Sequence, residues 1–226
     1  MARQSLKRFE NRFRILSDRG DKRFMKRGLL IILSGPSGVG KGTIGAELLA
    51  NHADLCFSVS ATTRSIRPGE QEGVNYFYKT KEEFECMVSN DEFLEYMCVF
   101  GKNYYGTPKA YVESNLASGM SVLLDIDVKG AMEVKKNMPE AVTIFIAPPS
   151  IEILRSRLVG RNTESPENIE RRLAECRTEL GYIPKYDYVI VNDDLTTAVN
   201  TVESIITAVR CKPEYNTELA DTLVAE

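Results

Sequence analysis

The strongest constraint on the fold is a junction between an apolar run and a glycine-rich segment. Leu29–Leu33 are all apolar, and the ten residues after them, SGPSGVGKGT, place Gly35, Gly40 and Lys41 at the spacing of the phosphate-loop pattern GxxxxGK[ST]. The apolar run predicts a buried strand, and a helix is predicted after the loop. Glycines let backbone N–H groups point into the loop, while the lysine and the helix N-terminus add positive charge. The junction predicts a site for the phosphates of a nucleoside triphosphate; a glycine-rich turn with a surface lysine is the alternative.

The loop departs from the pattern at its last position. Gly42 stands where a serine or threonine usually supplies a hydroxyl ligand for Mg²⁺, and Thr43 follows one position later. Thr43 or water must then serve as the metal ligand. The residues that we expect to bind ATP here are Gly35, Pro36, Ser37, Gly38, Val39, Gly40, Lys41, Gly42 and Thr43.

The rest of the chain alternates short apolar runs with helical segments. Further strands are predicted at Cys56–Val59, Val122–Asp125, Val142–Ile146 and Tyr188–Val191. The predicted helices are Thr43–Asn51, one with Thr107 as its cap and Pro108 in its first turn, Val128–Asn137, Ser150–Val159, Pro166–Leu180 and Leu195–Val209. This alternation predicts an α/β fold in which helices flank a parallel five-stranded core sheet.

Residues 60–106 interrupt the alternation with Gly, Arg, Tyr and polar residues. Within them, Thr80 and Glu83 have the spacing of a capping box, which predicts a helix that reaches about Asn90. We therefore expect a small α+β insert at 60–106 in a core formed by 26–59 and 107–210. A basic N-terminal extension at 1–25 and a polar tail at 211–226 are expected outside that core.

Composition disfavours several classes of protein. No apolar run approaches the ~20 residues of a membrane helix, and the five cysteines contain no CxxC pair that would favour zinc or a disulfide framework. Residues 1–28 carry a net charge of +7 and the remainder −10, so the body is a poor nonspecific binder of nucleic acid. We expect a cytoplasmic protein with reduced thiols and neither a membrane nor a specific nucleic-acid partner. The basic extension is interpreted as solvated or as an upstream start, with an amphipathic surface helix as the alternative.

A second anion site is indicated in the insert. Arg64 and Arg67 lie three residues apart and Tyr76 follows, and two guanidinium groups with a phenol hydroxyl can enclose a phosphate dianion. Glu95 follows in EFLEY. A carboxylate can accept hydrogen bonds from both N1–H and N2–H₂ of guanine, whereas adenine offers no such paired donors.

Five segments in this order resemble guanylate kinases: SGPSGVGKGT, SATTRSIRPGEQEGVNYFY, NYYGTP, LLDIDVKGA and IVNDDL. The resemblance runs from about 26 to 210, with Lys102 lengthening one turn. It implies a P-loop NTPase-type core with a GMP-binding insert and a helical lid at about 155–180. The implied activity is direct in-line phosphorylation of GMP and dGMP by ATP with Mg²⁺, serving purine nucleotide metabolism and GMP recycling.

The resemblance also implies roles for individual residues. Lys41 and the lid arginines Arg157, Arg161 and Arg172 are the expected catalytic groups, and Asn192 and Asp193 are expected near the adenine of ATP. Asp125 and Thr43 are expected near Mg²⁺. The expected GMP-binding residues are Ser60, Arg64, Arg67, Tyr76, Glu95, Tyr105, Thr107 and Asp127.

Two other functions compete with this interpretation. A phosphopeptide-binding module of this fold, as found in scaffold proteins, typically lacks the phosphate loop and lid, whereas Lys41 and Arg161 are present here. A kinase for another phosphorylated sugar or nucleotide is disfavoured by Ser60, Glu95 and the arginine pair. The chain is expected to be a monomer or a homo-oligomer.

Overall fold

The structure is a computed structural model that describes residues 27–99, 101–160, 165–216 and 224. The basic N-terminal extension, the predicted lid residue Arg161 and most of the polar tail therefore lie outside the described residues. In the part of the chain that is described, no helix combines the length and the apolar composition that a membrane crossing requires.

A parallel five-stranded sheet forms the centre of the molecule, in the order β2-β7-β1-β8-β9. The central strands β1 and β8 are buried on both faces, as their continuous apolar runs predict, whereas the edge strand β9 exposes Val189 and Val191. The ranges are β1 Leu30–Ser34, β2 Leu55–Phe57, β7 Ser121–Asp125, β8 Val142–Ala147 and β9 Tyr188–Val191. The predicted parallel core sheet is thus confirmed, with each strand within two residues of its predicted bounds.

Helices cover both faces of this sheet. Alternate residues of β1 separate the two layers: Ile31 packs with the helices α1 and α7, and Ile32 with α3 and α4. The helices of the core are α1 Lys41–Asn51, α3 Lys109–Ala117, α4 Val128–Asn137, α5 Ile151–Val159, α6 Pro166–Leu180 and α7 Leu195–Arg210. The chain therefore buries a doubly covered sheet, as expected for parallel strands that are joined by helices.

A second sheet is built from the residues between β2 and α3. Its four strands have the order β4-β3-β6-β5 and are β3 Ala61–Thr62, β4 Phe77–Tyr78, β5 Phe93–Val99 and β6 Asn103–Pro108. Helix α2, Lys81–Ser89, begins with the predicted capping box of Thr80 and Glu83. Phe84 anchors it by stacking on Phe93 with ring centroids 4.4 Å apart. This unit is the α+β insert that the change in composition predicted.

Side-chain caps fix where four core helices begin. Asp127, Ser150, Ser165 and Asp194 each accept hydrogen bonds from backbone N–H groups of the first turn, which would otherwise have no partner. The predicted cap at Thr107 is wrong. Thr107 belongs to β6, Pro108 occupies the cap position without a side-chain bond, and the threonine hydroxyl is used elsewhere.

Candidate active site

The phosphate loop connects β1 to α1 in a backbone conformation that favours glycine at Gly35, Gly38 and Gly40. Gly35 has φ 134° and Gly40 has φ 100°. A Cβ on Gly35 would lie 2.2 Å from the carbonyl oxygen of Ile146, and one on Gly40 would lie 2.5 Å from Nδ2 of Asn192. The loop therefore passes too close to β8 and to Asn192 for any larger residue.

Lys41 is the first residue of α1 and turns back over the loop. Its Nζ donates to the carbonyl oxygens of Gly35 and Pro36 at 2.7 and 3.3 Å. Gly40 is the N-cap residue of the helix and, as a glycine, provides no side-chain cap for the N–H groups of its first turn. A positive side chain and a helix N-terminus are thus directed at one loop, which is the arrangement that binds phosphate.

Residues from distant elements support the loop. The amide of Asn192, a buried residue just after β9, donates from Nδ2 to the carbonyl oxygen of Val39 at 2.8 Å. Arg172 of α6 hydrogen-bonds Ser37 Oγ through its guanidinium. Of the predicted donor-side residues, the structure therefore brings Asn192 and Arg172 onto the loop itself.

Arg157 and Asp193 lie together at the edge of this region. Arg157 of α5 donates to the carbonyl oxygens of Asn192 and Asp193 at 2.9 and 3.4 Å. The guanidinium thus holds the segment after β9, near which the resemblance predicts that the adenine of ATP binds. Its assignment as a catalytic group stays a prediction, as does that of Arg161, which is outside the described residues.

Asp125 connects the phosphate loop with the rest of the cleft. It ends β7, and its Oδ2 would lie 3.6 Å from a Cβ on residue 42. Partial desolvation raises the pKa of the Asp125 carboxyl, and the charge of Lys41 acts in the opposite direction. Burial likewise raises the pKa of Glu179 on α6. The positive charge of Lys41 lowers this pKa, and the negative charge of Asp127 raises it further. Acidic groups therefore stand opposite the cationic loop.

This donor set suits a magnesium ion that is held mainly by phosphates and water. Among the described residues, no three acidic, histidine or cysteine side chains form a metal cluster. Asp125 Oδ2 nevertheless lies close to where the side chain of a serine or threonine at position 42, the usual residues of the pattern, would begin. Mg²⁺ commonly takes one or two carboxylates and completes its shell with phosphate oxygens and water. Asp125 is the protein group that would hold it, and the role of the Thr43 hydroxyl as a metal ligand stays a prediction.

A carboxylate and a hydroxyl define the base end of the insert. Glu95 of β5 and Thr107 of β6 are paired across the sheet, and Thr107 Oγ1 donates to Glu95 Oε1 at 2.6 Å. Burial raises the pKa of the partly buried Glu95, the Thr107 bond lowers it, and Asp127 raises it. The pair presents a desolvated acceptor whose second oxygen, Oε2, lies near the first turn of α4, 3.3 Å from a Cβ placed on Gly130.

Asp127 sits beside Glu95 but is occupied as a helix cap. Its Oδ1 accepts from the backbone N–H groups of Lys129 and Gly130 at 2.9 and 2.8 Å. The like charge of Glu95 faces it across the small residue Gly130, and a second carboxylate oxygen remains on Asp127. The predicted contact of Asp127 with GMP stays a prediction.

Arginine and tyrosine side chains form the other end of the insert site. Arg64 lies over the rings of Tyr76 and Tyr78 at 5.3 and 5.9 Å from their centroids. Hydrogen bonding with Glu70 is the main cause that raises the pKa of Arg64, and the interaction with Tyr105 adds to it. The rings of Tyr76 and Tyr105 meet edge to face at 5.9 Å. Arg67 is exposed nearby. We call Arg64, Tyr76, Tyr78 and Tyr105 the arginine–tyrosine cage.

A cavity of about 180 Å³ separates the insert from the core sheet. Ser60, Tyr76 and Thr107 line it from the insert, and Leu123 and Asp125 from the end of β7. Thr107 of the base end, Tyr76 of the cage and Asp125, which faces the phosphate loop, therefore border the same cavity. With Ser60, four residues that were predicted from three separate motifs line it.

Three residues that interact with the predicted site residues were missed by the sequence reasoning. Tyr78 belongs to the cage, Glu70 accepts hydrogen bonds from Arg64 and Tyr78, and Glu179 lies in the field of Lys41. Glu70 and Tyr78 lie inside the quoted segment SATTRSIRPGEQEGVNYFY, so the segment indicated the region without separating their roles. Nothing local marks Glu179, because its neighbours on α6 are equally polar.

A glycine-rich phosphate loop at the C-terminal end of a parallel sheet, with a cavity between that sheet and the insert, defines a P-loop nucleotide-binding protein. A family model for guanylate kinase matches residues 27–209. That match covers most of the chain, which therefore belongs to the guanylate kinase family.

Individual relatives agree with the family match. The chain is 50% identical over 194 residues to a guanylate kinase of Caldanaerobacter subterraneus, covering 86% of this chain and 94% of the relative. It is 47% identical over 199 residues to one of Halalkalibacterium halodurans, covering 88% and 97%. A crystal structure of guanylate kinase from Anaplasma phagocytophilum superposes with a TM-score of 0.64 at 38% identity, covering 83% of this chain and 88% of that one.

Proposed function

We propose that this protein transfers the γ-phosphoryl group of MgATP to GMP or dGMP, producing ADP and GDP or dGDP. The observation that carries this proposal is the pairing of a phosphate loop with a cleft that has a carboxylate at one end and a guanidinium at the other. Such a cleft fits a guanine nucleotide lengthwise, with the base at Glu95 and the phosphate at Arg64.

Guanine selection rests on Glu95. Thr107 uses one lone pair of Oε1, and each carboxylate oxygen accepts two hydrogen bonds, so both oxygens keep capacity for N1–H and N2–H₂. Adenine would leave a desolvated carboxylate without donors. Sites that hydrogen-bond a substrate group reject analogues lacking it by about 10⁴-fold or more. Ser60, on the wall of the same cavity, is proposed as a further base contact.

The cage holds the acceptor phosphate in this proposal. Arg64, Arg67, Tyr76 and Tyr105 supply charge and hydroxyl donors, and a guanidinium fork fits a phosphate dianion well. None of the proposed contacts requires the ribose 2′-hydroxyl. We therefore expect dGMP to be a substrate as well.

Transfer is proposed to proceed in line, without a covalent intermediate on the protein. Phosphoryl transfer requires alignment and charge neutralisation rather than a protein nucleophile. Lys41 and Arg172, which already contact the loop, would bind the donor phosphates, with Arg157 and Arg161 completing the positive surroundings. Mg²⁺, when bound, supplies further neutralisation of phosphate charge. Closure of the insert and the helix pair α5–α6 is expected to exclude water from the reaction.

A substrate panel tests the proposal. ATP and Mg²⁺ are incubated with GMP, dGMP, AMP, UMP or CMP, and ADP release and the phosphorylated product are both quantified. We expect GMP and dGMP to be phosphorylated and AMP to have a kcat/KM lower by about 10⁴-fold. Equal turnover of AMP would contradict the guanine assignment, and GMP binding without any ADP release would favour a binding module.

The proposal also includes a cytoplasmic location and a monomeric or homo-oligomeric state. All five cysteines are unpaired, which is typical of proteins in reducing surroundings.

A further inference from the structure

Glu70 is the centre of the cage although it is negatively charged. Its Oε1 accepts from Arg64 at 2.8 Å, and its Oε2 accepts from Arg64 at 3.0 Å, from the Tyr78 hydroxyl at 2.8 Å and from the Arg67 backbone N–H at 2.8 Å. A carboxylate beside a phosphate site repels the ligand, so direct contact with phosphate is not its function. Three of its four contacts instead come from Arg64 and Arg67, which are proposed to hold the phosphate, and the fourth comes from Tyr78.

The ion pair of Glu70 and Arg64 is well formed and shielded. The two guanidinium bonds are parallel and bidentate, and the side chains are only 19% and 12% exposed. Hydrogen bonding to Arg64 is the main cause that lowers the pKa of Glu70 to about 2, and the same bond raises the pKa of Arg64. Both groups are therefore charged throughout the neutral pH range.

The contacts define one orientation of the Arg64 guanidinium. Two of its N–H groups point to Glu70 and one to the carbonyl oxygen of Ser65 at 2.8 Å. A guanidinium has five N–H donors, so the pair leaves donors for a ligand while removing the rotational freedom of a long side chain. Orientation before binding lowers the entropic cost of capturing the ligand.

We propose that Glu70 is a positioning residue that holds the Arg64 guanidinium in the orientation that receives the acceptor phosphate, while the Tyr78 hydroxyl fixes Glu70 by donating to it. The proposal rests on the proposed function, because it assigns the phosphate of GMP to this cage. It predicts a defect that is confined to the phosphate end of the acceptor. The guanine end, at Glu95, and the ATP site should be unaffected.

The test compares Glu70→Gln and Glu70→Ala with the matched control Glu72→Gln. Glu72 lies in the same segment and accepts from the Tyr78 backbone N–H at 2.9 Å, and glutamine keeps that acceptor. The kcat and KM for GMP are measured at saturating ATP, together with the KM for ATP and competitive inhibition by guanosine, which lacks the phosphate. We expect Glu70→Ala to lower kcat/KM for GMP by about 10²-fold and Glu70→Gln to lower it less. Guanosine inhibition, the KM for ATP and the control should match wild type.

A double-mutant cycle with Arg64→Ala decides whether Glu70 acts through Arg64. If it does, adding Glu70→Ala to Arg64→Ala causes little further loss. Additive losses, wild-type kinetics in both Glu70 variants, or an equal loss of guanosine inhibition would overturn the proposal. A wild-type chain that phosphorylates no GMP would refute the proposed function instead. The Glu70 inference would then be judged by calorimetric binding of GMP to the same variants.

Discussion

Replacing Glu95 with glutamine changes one oxygen of the proposed guanine contact into an NH₂ donor. Thr107 Oγ1 donates to Oε1 at 2.6 Å, and the glutamine oxygen can keep that bond. The amide nitrogen then takes the place of Oε2 and faces the guanine donors. The shape and volume of the side chain change little, so the variant tests the effect of hydrogen bonding and charge at this end of the cleft without a change in packing.

The size of the effect follows from the bonds that are exchanged. A hydrogen bond to a charged group contributes about 1.5–3 kcal/mol, and each 1.36 kcal/mol is tenfold in rate. Losing one such bond should lower kcat/KM for GMP by about 10- to 150-fold. The amide NH₂ can donate to N1 of adenine, so kcat/KM for AMP should rise. The ratio of kcat/KM for GMP to kcat/KM for AMP should therefore fall by a larger factor than kcat/KM for GMP does.

The assay measures kcat/KM for GMP and AMP by ADP release in wild type, Glu95→Gln and the control Glu92→Gln. Glu92 precedes β5 and its carboxylate accepts from Asn90, away from the cavity. An unchanged GMP/AMP preference in Glu95→Gln would refute the guanine assignment.

The same variant should be more stable than wild type at neutral pH. The pKa of Glu95 is raised in the folded state, so ionisation of this carboxyl opposes folding at pH values above that raised pKa. The difference in Tm should shrink as pH falls to and below about 4.3, the usual pKa of glutamate, because below that pH the carboxyl is neutral in both states. Thermal unfolding of the two proteins across pH measures this.

Further predictions concern the donor loop and the base end. Lys41→Ala should lower kcat by about 10²–10³-fold, the usual loss for one transition-state donor; near wild-type turnover would contradict its role. Thr107→Val removes a bond that lowers the pKa of Glu95, so the acid limb of the kcat/KM profile for GMP should move to higher pH; an unmoved limb would argue against ionised Glu95 as the acceptor. Asn192→Ala leaves the Val39 carbonyl without its partner, and thermal unfolding should show a loss of about 1–3 kcal/mol and a raised KM for ATP. Unchanged stability would show that the loop does not depend on this bond.

Matched controls separate these effects from nonspecific ones. Lys136→Ala removes a lysine that is 76% exposed on α4 and pairs only loosely with Glu133 at 3.8 Å. Thr143→Val tests loss of a buried threonine hydroxyl that bonds Asp187 at 2.8 Å and does not line the cavity. Activity changes in the first control, or a shifted acid limb in the second, would show that the corresponding readout is not specific to the site.

The sequence alone determined the features that depend on neighbouring residues. The run Leu29–Leu33 is apolar at every position, which predicts a strand buried on both faces, and the glycines after it predict the loop. Pro166–Leu180 was predicted with its observed bounds because Ser165 and Pro166 are strong local start signals. Such signals act within one helical turn or one strand and need no knowledge of the rest of the chain.

Only the tertiary structure decided which partner each polar side chain uses. Thr107 has the local sequence of a helix cap, yet its hydroxyl bonds Glu95, twelve positions away in the chain, because β5 and β6 pair there. Asn192 supports Val39 across the sheet, and Glu70 gathers Arg64 and Tyr78 into one cluster. A polar group can satisfy its hydrogen bonds locally or across the fold, and burial against a particular neighbour makes that choice.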